Sequence, residues 1–248
     1  MVFTRSLTRL LIALLIAVTG QVALIAPQSE AIADQDAAAL LQSSAATMLE
    51  LESFHFRLTT PVGETILTED VFLRSVEGDV VRPMSFQATF EVAMAFLKLK
   101  LSAVGIDNSI WISNPMDGGE FMQVSGEGTE MLPPIPFLNP DALILAAMSQ
   151  ILEPAISGEE EIDGRQTTVV TGTFDPAAVA LDGTPIAQGL TAEIEPLGLT
   201  IWIDAEHRVI RVEFAGGLLP SEIGAGRIVR RIDLSRFDEP VNIEPPAA

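Results

Sequence analysis

The chain has 248 residues and a formal net charge of −20, from 34 acidic residues against 14 Lys and Arg. This charge argues against nucleic-acid binding, which depends on basic side chains that neutralise phosphates. The chain has no cysteine and two histidines, which excludes disulfides, thiolate chemistry, cysteine-ligated metals and a histidine-rich metal site. Its hydrophobic content of 48% is too high for a disordered acidic chain, so we expect one folded domain.

Residues 1–33 have the pattern of an export signal. Two arginines precede an apolar stretch over residues 10–24, and Ala31-Ile32-Ala33 has the small–x–small pattern of a signal-peptidase site. The pattern predicts cleavage before Asp34. The alternative is an uncleaved membrane anchor, although the apolar stretch is short of the ~20 residues that span a bilayer. We therefore expect a signal peptide over 1–33 and a single exported domain over 34–248, secreted or in the cell envelope.

The first element predicted after the signal is an amphipathic helix over about residues 34–52. Asp34 and Asp36 stand at its start, where carboxylates complement the helix dipole. Its apolar stripe follows helical spacing and consists of Ala37, Leu40, Leu41, Ser44, Met48 and Leu51.

After this helix, apolar and polar residues alternate, as in strands with one buried face. The parity reverses between Val92 and Leu97, which predicts a turn or bulge near Ala93–Ala95, because one straight strand cannot exchange its buried face. Lys98 and Lys100 alternate with leucines, so we expect them on the exposed face, with little contribution to binding an apolar ligand. The strand patterns lie near residues 54–58, 67–73, 86–92, 97–101, 110–112, 121–124, 166–174, 199–203, 209–214 and 227–234.

The middle of the chain contains a second predicted helix. Ser125–Pro136 is interpreted as a loop. Asn139-Pro140-Asp141 then has the capping residue, proline and carboxylate of a helix start. The following residues, 142–148, are apolar on every face, which is typical of a helix buried in a core or lining a hydrophobic cavity. Asp175-Pro176 predicts the start of another short helix.

The sequence has no nucleotide-binding, serine-hydrolase or zinc-protease motif. The run Glu159-Glu160-Glu161 lacks the ligand spacing of a calcium loop and is interpreted as a solvated acidic turn. His55 and His207 are expected at the surface and not as a catalytic pair. A hydrolase that uses two carboxylates stays open, because no spacing among the acids selects one pair.

The remaining feature is an excess of apolar surface, mostly aliphatic side chains and phenylalanine, which suits acyl chains better than sugars or bases. These residues form either a solid core or the wall of a cavity, and their pattern alone leaves both possibilities open. The candidate cavity residues are Phe56, Leu58, Phe86, Phe90, Leu99, Leu101, Leu143, Ala147, Met148, Ile210 and Val212.

Five stretches in order and spacing carry a family resemblance: Ser53–Leu58, Phe137–Ala142, Glu161–Thr173, Leu199–Asp204 and Leu234–Pro246. Together they span nearly all of the chain after the signal. The chain resembles the LppX/LprAFG-type envelope lipoproteins, whose fold is similar to that of the LolA/LolB lipoprotein carriers. It departs from the family in lacking the lipobox cysteine that is acylated to anchor the protein.

The resemblance implies an α+β fold: a strongly curved antiparallel half-barrel with helices on its concave side and a lipid cavity between them. It implies no catalytic residue and no cofactor. We therefore expect an exported, non-enzymatic lipid-binding or transfer protein. Its partners would be a lipid with acyl chains and, transiently, a membrane surface, with no nucleic acid, and we expect a monomer. The alternatives are a secreted interaction or sensor module with a filled core and, less favoured, a carboxylate-dependent hydrolase.

Overall fold

The computed structural model describes residues 27–107, 109–114, 118–124, 133–175, 180–181, 184–185 and 195–246. The helices are α1 (Pro27–Glu50), α2 (Ile135–Leu138) and α3 (Asp141–Gln150), and Pro220–Glu222 forms a 3-10 turn. The strands are β1 (Ser53–Val62), β2 (Thr65–Thr68), β3 (Val71–Val81), β4 (Ser85–Met94), β5 (Leu97–Ile106), β6 (Ser109–Asn114), β7 (Glu120–Gln123), β8 (Leu152–Ile162), β9 (Arg165–Phe174), β10 (Ala180–Leu181), β11 (Thr184–Pro185), β12 (Leu197–Asp204), β13 (Val209–Ala215) and β14 (Val229–Ser235).

Twelve strands form one antiparallel sheet that does not close, in the order β7-β6-β5-β4-β3-β1-β14-β13-β12-β9-β8. β2 adds to β3 outside this path, and β10 and β11 form a separate pair. The first strand lies in the middle because β1 pairs with both β3 and β14. The sheet therefore joins two meanders through a central strand, and the α+β prediction is confirmed.

The inner face of the sheet carries the core. Alternate residues of β1, β3, β4, β12 and β14 are buried there, and the stripe predicted on α1 is buried or half-buried against them. α1 packs on β8 and α3, while α2 contacts α3, β3 and β4. Among the described residues, no helix is long and apolar enough to cross a membrane.

Several element boundaries differ from the sequence predictions. Within the described residues α1 spans Pro27–Glu50, so the helix already includes residues before Asp34, where it was predicted to start. The acidic run lies within β8, not in a turn; β8 is an edge strand, where charged side chains discourage pairing with other chains. The turn itself is Asp163-Gly164, where both residues have positive φ.

Two predicted elements fall wholly or partly outside the described residues. The helix expected after Asp175 lies in the undescribed stretch 176–179. The expected loop Ser125–Pro136 is described only from residue 133, and its last residues belong to α2. The helix predicted after Asn139 is α3, and the Asn139 Oδ1 atom accepts a hydrogen bond from the Asp141 N–H at 3.2 Å.

Candidate functional site

The inner face brings together most of the residues predicted to line a cavity. The sheet contributes Phe56, Leu58, Phe86, Phe90 and Val212, and α3 contributes Leu143, Ala147 and Met148; all belong to one buried cluster. These side chains are at most 4% exposed, because the helices cover the face. The apolar residues of α3 and of the sheet therefore belong to one buried cluster.

Leu99 and Leu101 are half-buried and pack against the same cluster from β5. They pair with Val92 and Phe90 of β4, so they extend the inner face toward the β7 edge. The expectation that Lys100 points the other way agrees with its pairing to the outward-facing Glu91.

Ile210 does not lie with the other candidates. It is buried in a separate cluster with Ile162 and Trp202. The cause is a bulge: Arg211 pairs with Trp202, but Val209 pairs with Ile203, so Ile210 is an extra residue in β13. A bulge reverses the alternation of faces. Val209 consequently joins the inner cluster, and its N–H lies 3.4 Å from the Met48 sulfur of α1.

One hydroxyl group in the interior has no hydrogen-bond partner. Ser44 of α1 is fully buried within the apolar stripe of the helix, and its Oγ atom is unpaired among the described residues. An unsatisfied buried polar group costs about 1–3 kcal/mol. The sequence had placed Ser44 on the stripe but gave no indication that its hydroxyl would lack a partner.

Arg82 forms a junction between the two longer helices at one end of the interior. It follows β3, and its guanidinium donates to the Met48 carbonyl near the end of α1. Its Nε atom donates to Asp141 Oδ2 of α3 at 3.0 Å. The Arg82 and Asp141 side chains are only 13% and 17% exposed. A single side chain thus ties the end of α1 to the beginning of α3.

At the opposite end, Arg230 and Glu222 form an ion pair that is almost completely buried. Arg230 also donates to Thr65 Oγ1 at 3.1 Å and lies over the Phe137 ring of α2 at 5.6 Å. Burial lowers the pKa of the Arg230 guanidinium, and Glu222 acts in the opposite direction. Glu222 Oε2 accepts from the Leu218 N–H at 2.8 Å, so the pair joins β14, β2 and the segment after β13.

The outer face of the same sheet carries a polar groove of about 580 Å³, across β1, β3, β4 and β5. Asp79 is its best-connected residue: it contacts His55 Nδ1 at 2.8 Å, accepts from Gln87 Nε2 at 3.0 Å, and lies 3.2 Å from Arg236. Burial raises the pKa of Asp79, but the hydrogen bonds from Gln87 and His55 and the charges of His55 and Arg236 outweigh this effect, so the pKa lies below its ordinary value.

The described interior is apolar apart from a few buried polar and charged groups. Its buried ionisable groups have ion-pair partners, Asp204 with Arg208 and Glu222 with Arg230. No group of three or more possible metal ligands occurs among the residues that the structure describes. His55 belongs to the outer groove and His207 lies exposed in a turn, so the two histidines are on separate elements.

These features define a class: a single open antiparallel sheet whose apolar face is covered by helices. The LppX_LprAFG lipoprotein family model matches residues 36–243, and the chain belongs to that family. The match extends from residue 36 within α1 to the segment after β14, so the family resemblance and the fold expectation are both confirmed.

The relatives agree with this assignment. The proposed diacylated glycolipid transporter LprF of Mycobacterium bovis is 26% identical over 216 residues, which cover 86% of this chain and 78% of LprF. The LprF of Mycobacterium tuberculosis matches to the same extent. The crystal structure of M. bovis LprF superposes with a TM-score of 0.61 at 23% identity, covering 86% of this chain and 98% of the LprF chain. M. tuberculosis LppX gives a TM-score of 0.55 at 19% identity, covering 85% and 100%.

Proposed function

We propose that this protein is an exported, non-enzymatic lipid carrier that holds acyl chains between the inner face of its sheet and α1 and α3. The observation that carries the proposal is the continuous apolar surface shared by α3 and the sheet, in a chain of the LppX_LprAFG family. Each CH2 group withdrawn from water contributes about 0.8 kcal/mol, so such a surface binds acyl chains without many polar contacts.

Entry of a lipid into the cluster requires the helices to separate from the sheet, because its candidate residues on β1, β4, β13 and α3 are at most 4% exposed in this structure. Among the described residues, Arg82 makes four of the hydrogen bonds that resist this separation, two to Asp141 and one each to the Met48 and Leu51 carbonyls. We therefore assign the opening movement to α1 and α3. The sheet is not assigned this movement, because each of its strands is held by antiparallel pairing to its neighbours.

The first test is native mass spectrometry of the exported protein, followed by extraction and analysis of the bound lipid. A lipid with two or more acyl chains that copurifies in stoichiometric amount supports a carrier. A protein that binds no lipid under conditions that open the helices supports the interaction module with a filled core. Turnover of an ester or glycoside would favour the hydrolase.

Ala147→Trp tests the position of the lipid. Ala147 is fully buried in the apolar cluster that α3 shares with the sheet, so an indole there occupies space that acyl chains would need. We expect uptake of a fluorescent diacyl lipid to fall several-fold while the protein stays folded. In a rigid core the same change would overpack and cost about 1–3 kcal/mol or more. The control is Gln150→Trp, at the exposed end of the same helix. Unchanged uptake in Ala147→Trp contradicts the proposal, and so does a collapse of the melting temperature.

Export rests on the sequence of residues 1–33, which lie mostly outside the described part of the chain. The proposal predicts that the exported protein begins at Asp34. N-terminal sequencing after expression in a native host tests this. Recovery of a terminus before Pro27 would establish an uncleaved membrane anchor in place of a diffusible carrier.

A further inference from the structure

The turn between β4 and β5 has a composition that the fold does not require. Met94 pairs with Leu97, so Ala95 and Phe96 form a two-residue turn. Ala95 has a φ of 50°, a conformation usually supplied by Gly, Asn or Asp in such hairpins. The Phe96 side chain is 100% exposed. A fully exposed phenylalanine adds nothing to the core, and an Asn-Gly pair would suit the turn better.

The surroundings of Phe96 extend this apolar tip and give it a basic border. Leu97 is 39% exposed beside it. Lys98 and Lys100, the two lysines of the chain, follow within four residues, and both are exposed. Within the described ranges neither lysine has a carboxylate at ion-pair distance.

Acidic residues are also close to the tip. Met94 pairs with Val71, which brings the exposed turn at Glu69 and Asp70 to the same end of the sheet. Their carboxylates oppose long-range attraction to anionic surfaces, as does the net charge of −20. Binding at this tip must therefore depend mainly on the apolar side chains, with the lysines acting over short distances.

The size and chemistry of the tip favour a lipid bilayer over a protein partner. A stable protein interface buries about 800 Å² on each side, far more than one turn offers. A bilayer needs less, because an aromatic ring can bury its apolar surface at the boundary between headgroups and acyl chains, while lysine side chains extend to the phosphates. The protruding ring with two lysines behind it matches this arrangement.

We propose that the β4–β5 tip, residues Met94–Lys100, is the surface by which the protein docks on a membrane, with Phe96 inserted at the level of the lipid headgroups. The inference rests on the proposed carrier function only in that a carrier must meet a membrane. The docking itself depends on Phe96 and not on an occupied interior. Under this proposal, the β4–β5 tip is the part of the molecule that contacts the donor or acceptor membrane.

The experiment places a fluorescent reporter at the tip of the full chain. Phe96→Trp is compared with Met84→Trp, which lies in the β3–β4 turn at the other end of the same strands and is 45% exposed in the native chain. Vesicles contain phosphatidylcholine and phosphatidylglycerol, with and without brominated acyl chains. Because quenching is local, any binding by residues 1–26 affects both variants equally.

After subtraction of the native emission, which comes from Trp111 and Trp202, we expect the signal of Phe96→Trp to shift to the blue and to be quenched by brominated lipid, and that of Met84→Trp to stay unchanged. Phe96→Ser should weaken vesicle binding about tenfold, from the lost burial of one ring, while Met84→Ser leaves binding unchanged. Lys98→Gln with Lys100→Gln should cause a smaller loss that disappears at high salt.

Equal quenching at both positions, or none at Phe96→Trp, would overturn the docking surface. Concentration-dependent self-association that Phe96→Ser abolishes would also overturn it, in favour of a second copy of the chain. Uptake of a monomeric fluorescent fatty acid distinguishes a failure of the docking surface from a failure of the proposed carrier function. If Phe96→Ser takes up the monomer normally but exchanges lipid slowly with vesicles, docking is supported. If no variant takes up the monomer while Phe96→Trp still inserts, the carrier function fails and the docking surface stands.

Discussion

The two ends of the apolar interior are held by arginines in different ways. Arg230 and Glu222 are buried to 1% and 0% side-chain exposure, within a network that joins the sheet to the segment after β13. Arg82 and Asp141 are 13% and 17% exposed and join two helices. Removing one member of a buried pair leaves an uncompensated charge, whereas a half-buried group regains water. We therefore expect the Arg230–Glu222 end to stay closed and the Arg82–Asp141 end to open.

The largest effect is expected at the fully buried pair. Glu222→Leu leaves the Arg230 charge without its partner and the Leu218 and Leu219 N–H groups without their acceptor. Loss of one member of a buried pair costs about 3–5 kcal/mol. Urea unfolding measured by circular dichroism should detect a loss of this size.

The double variant Glu222→Leu with Arg230→Met is the control for this prediction. It removes both charges and should recover part of the lost stability, because well-packed apolar residues often replace a buried ion pair at little cost. A Glu222→Leu protein within about 1 kcal/mol of the native stability would contradict the contrast between the two ends.

A smaller effect on stability, with a larger effect on opening, is expected at Arg82. Arg82→Gln loses its hydrogen bonds to Asp141 and to the carbonyl groups of α1, at a cost of about 1–2 kcal/mol. Hydrogen exchange should accelerate near the end of α1 and in α3, and lipid exchange should become faster. Arg74→Gln is the matched control, since the Arg74–Glu64 pair lies exposed on the surface. Faster exchange confined to the β2–β3 region, or none, would contradict the assignment of the opening end.

The sequence could predict those parts of the site that follow from local spacing, but not the contacts between residues far apart in the chain. Alternation located the inner face and the α1 stripe correctly, because side-chain direction in strands and helices follows directly from spacing. Arg230 lies on the same face of β14 as Ile232 and Leu234, because it alternates with the same residues. Its inward position could therefore be predicted from the sequence. Its partner Glu222 was not, because it lies in a loop without periodicity. Arg82 binds α1 and α3 across separations of 34 and 59 residues, which no local pattern reports.

Ile210 shows a different reason for failure. Ile210 alternates regularly with Val212 and Phe214, and β13 contains no glycine that would mark a bulge. The extra residue becomes visible only when the strand is paired with β12, where Trp202 and Ile203 oppose three residues of β13. Strand register depends on the neighbouring strand, so the sequence of β13 alone could not predict that Ile210 faces away from the inner cluster.

The smallest effect is expected on the outer face, where Asp79 lies in a solvent-accessible groove. Its pKa is lowered in the folded protein. Its contribution to stability is therefore present above the pKa of the unfolded chain, about pH 4, and is lost as the pH falls through the folded pKa. Asp79→Asn should therefore lower stability at pH 7 by less than about 1 kcal/mol, and its difference from the native protein should shrink toward pH 3. Urea midpoints at both pH values measure this, with the exposed Asp70→Asn as control. A loss at pH 7 comparable to that of Glu222→Leu would mean that the outer network, and not the buried pair, holds the sheet.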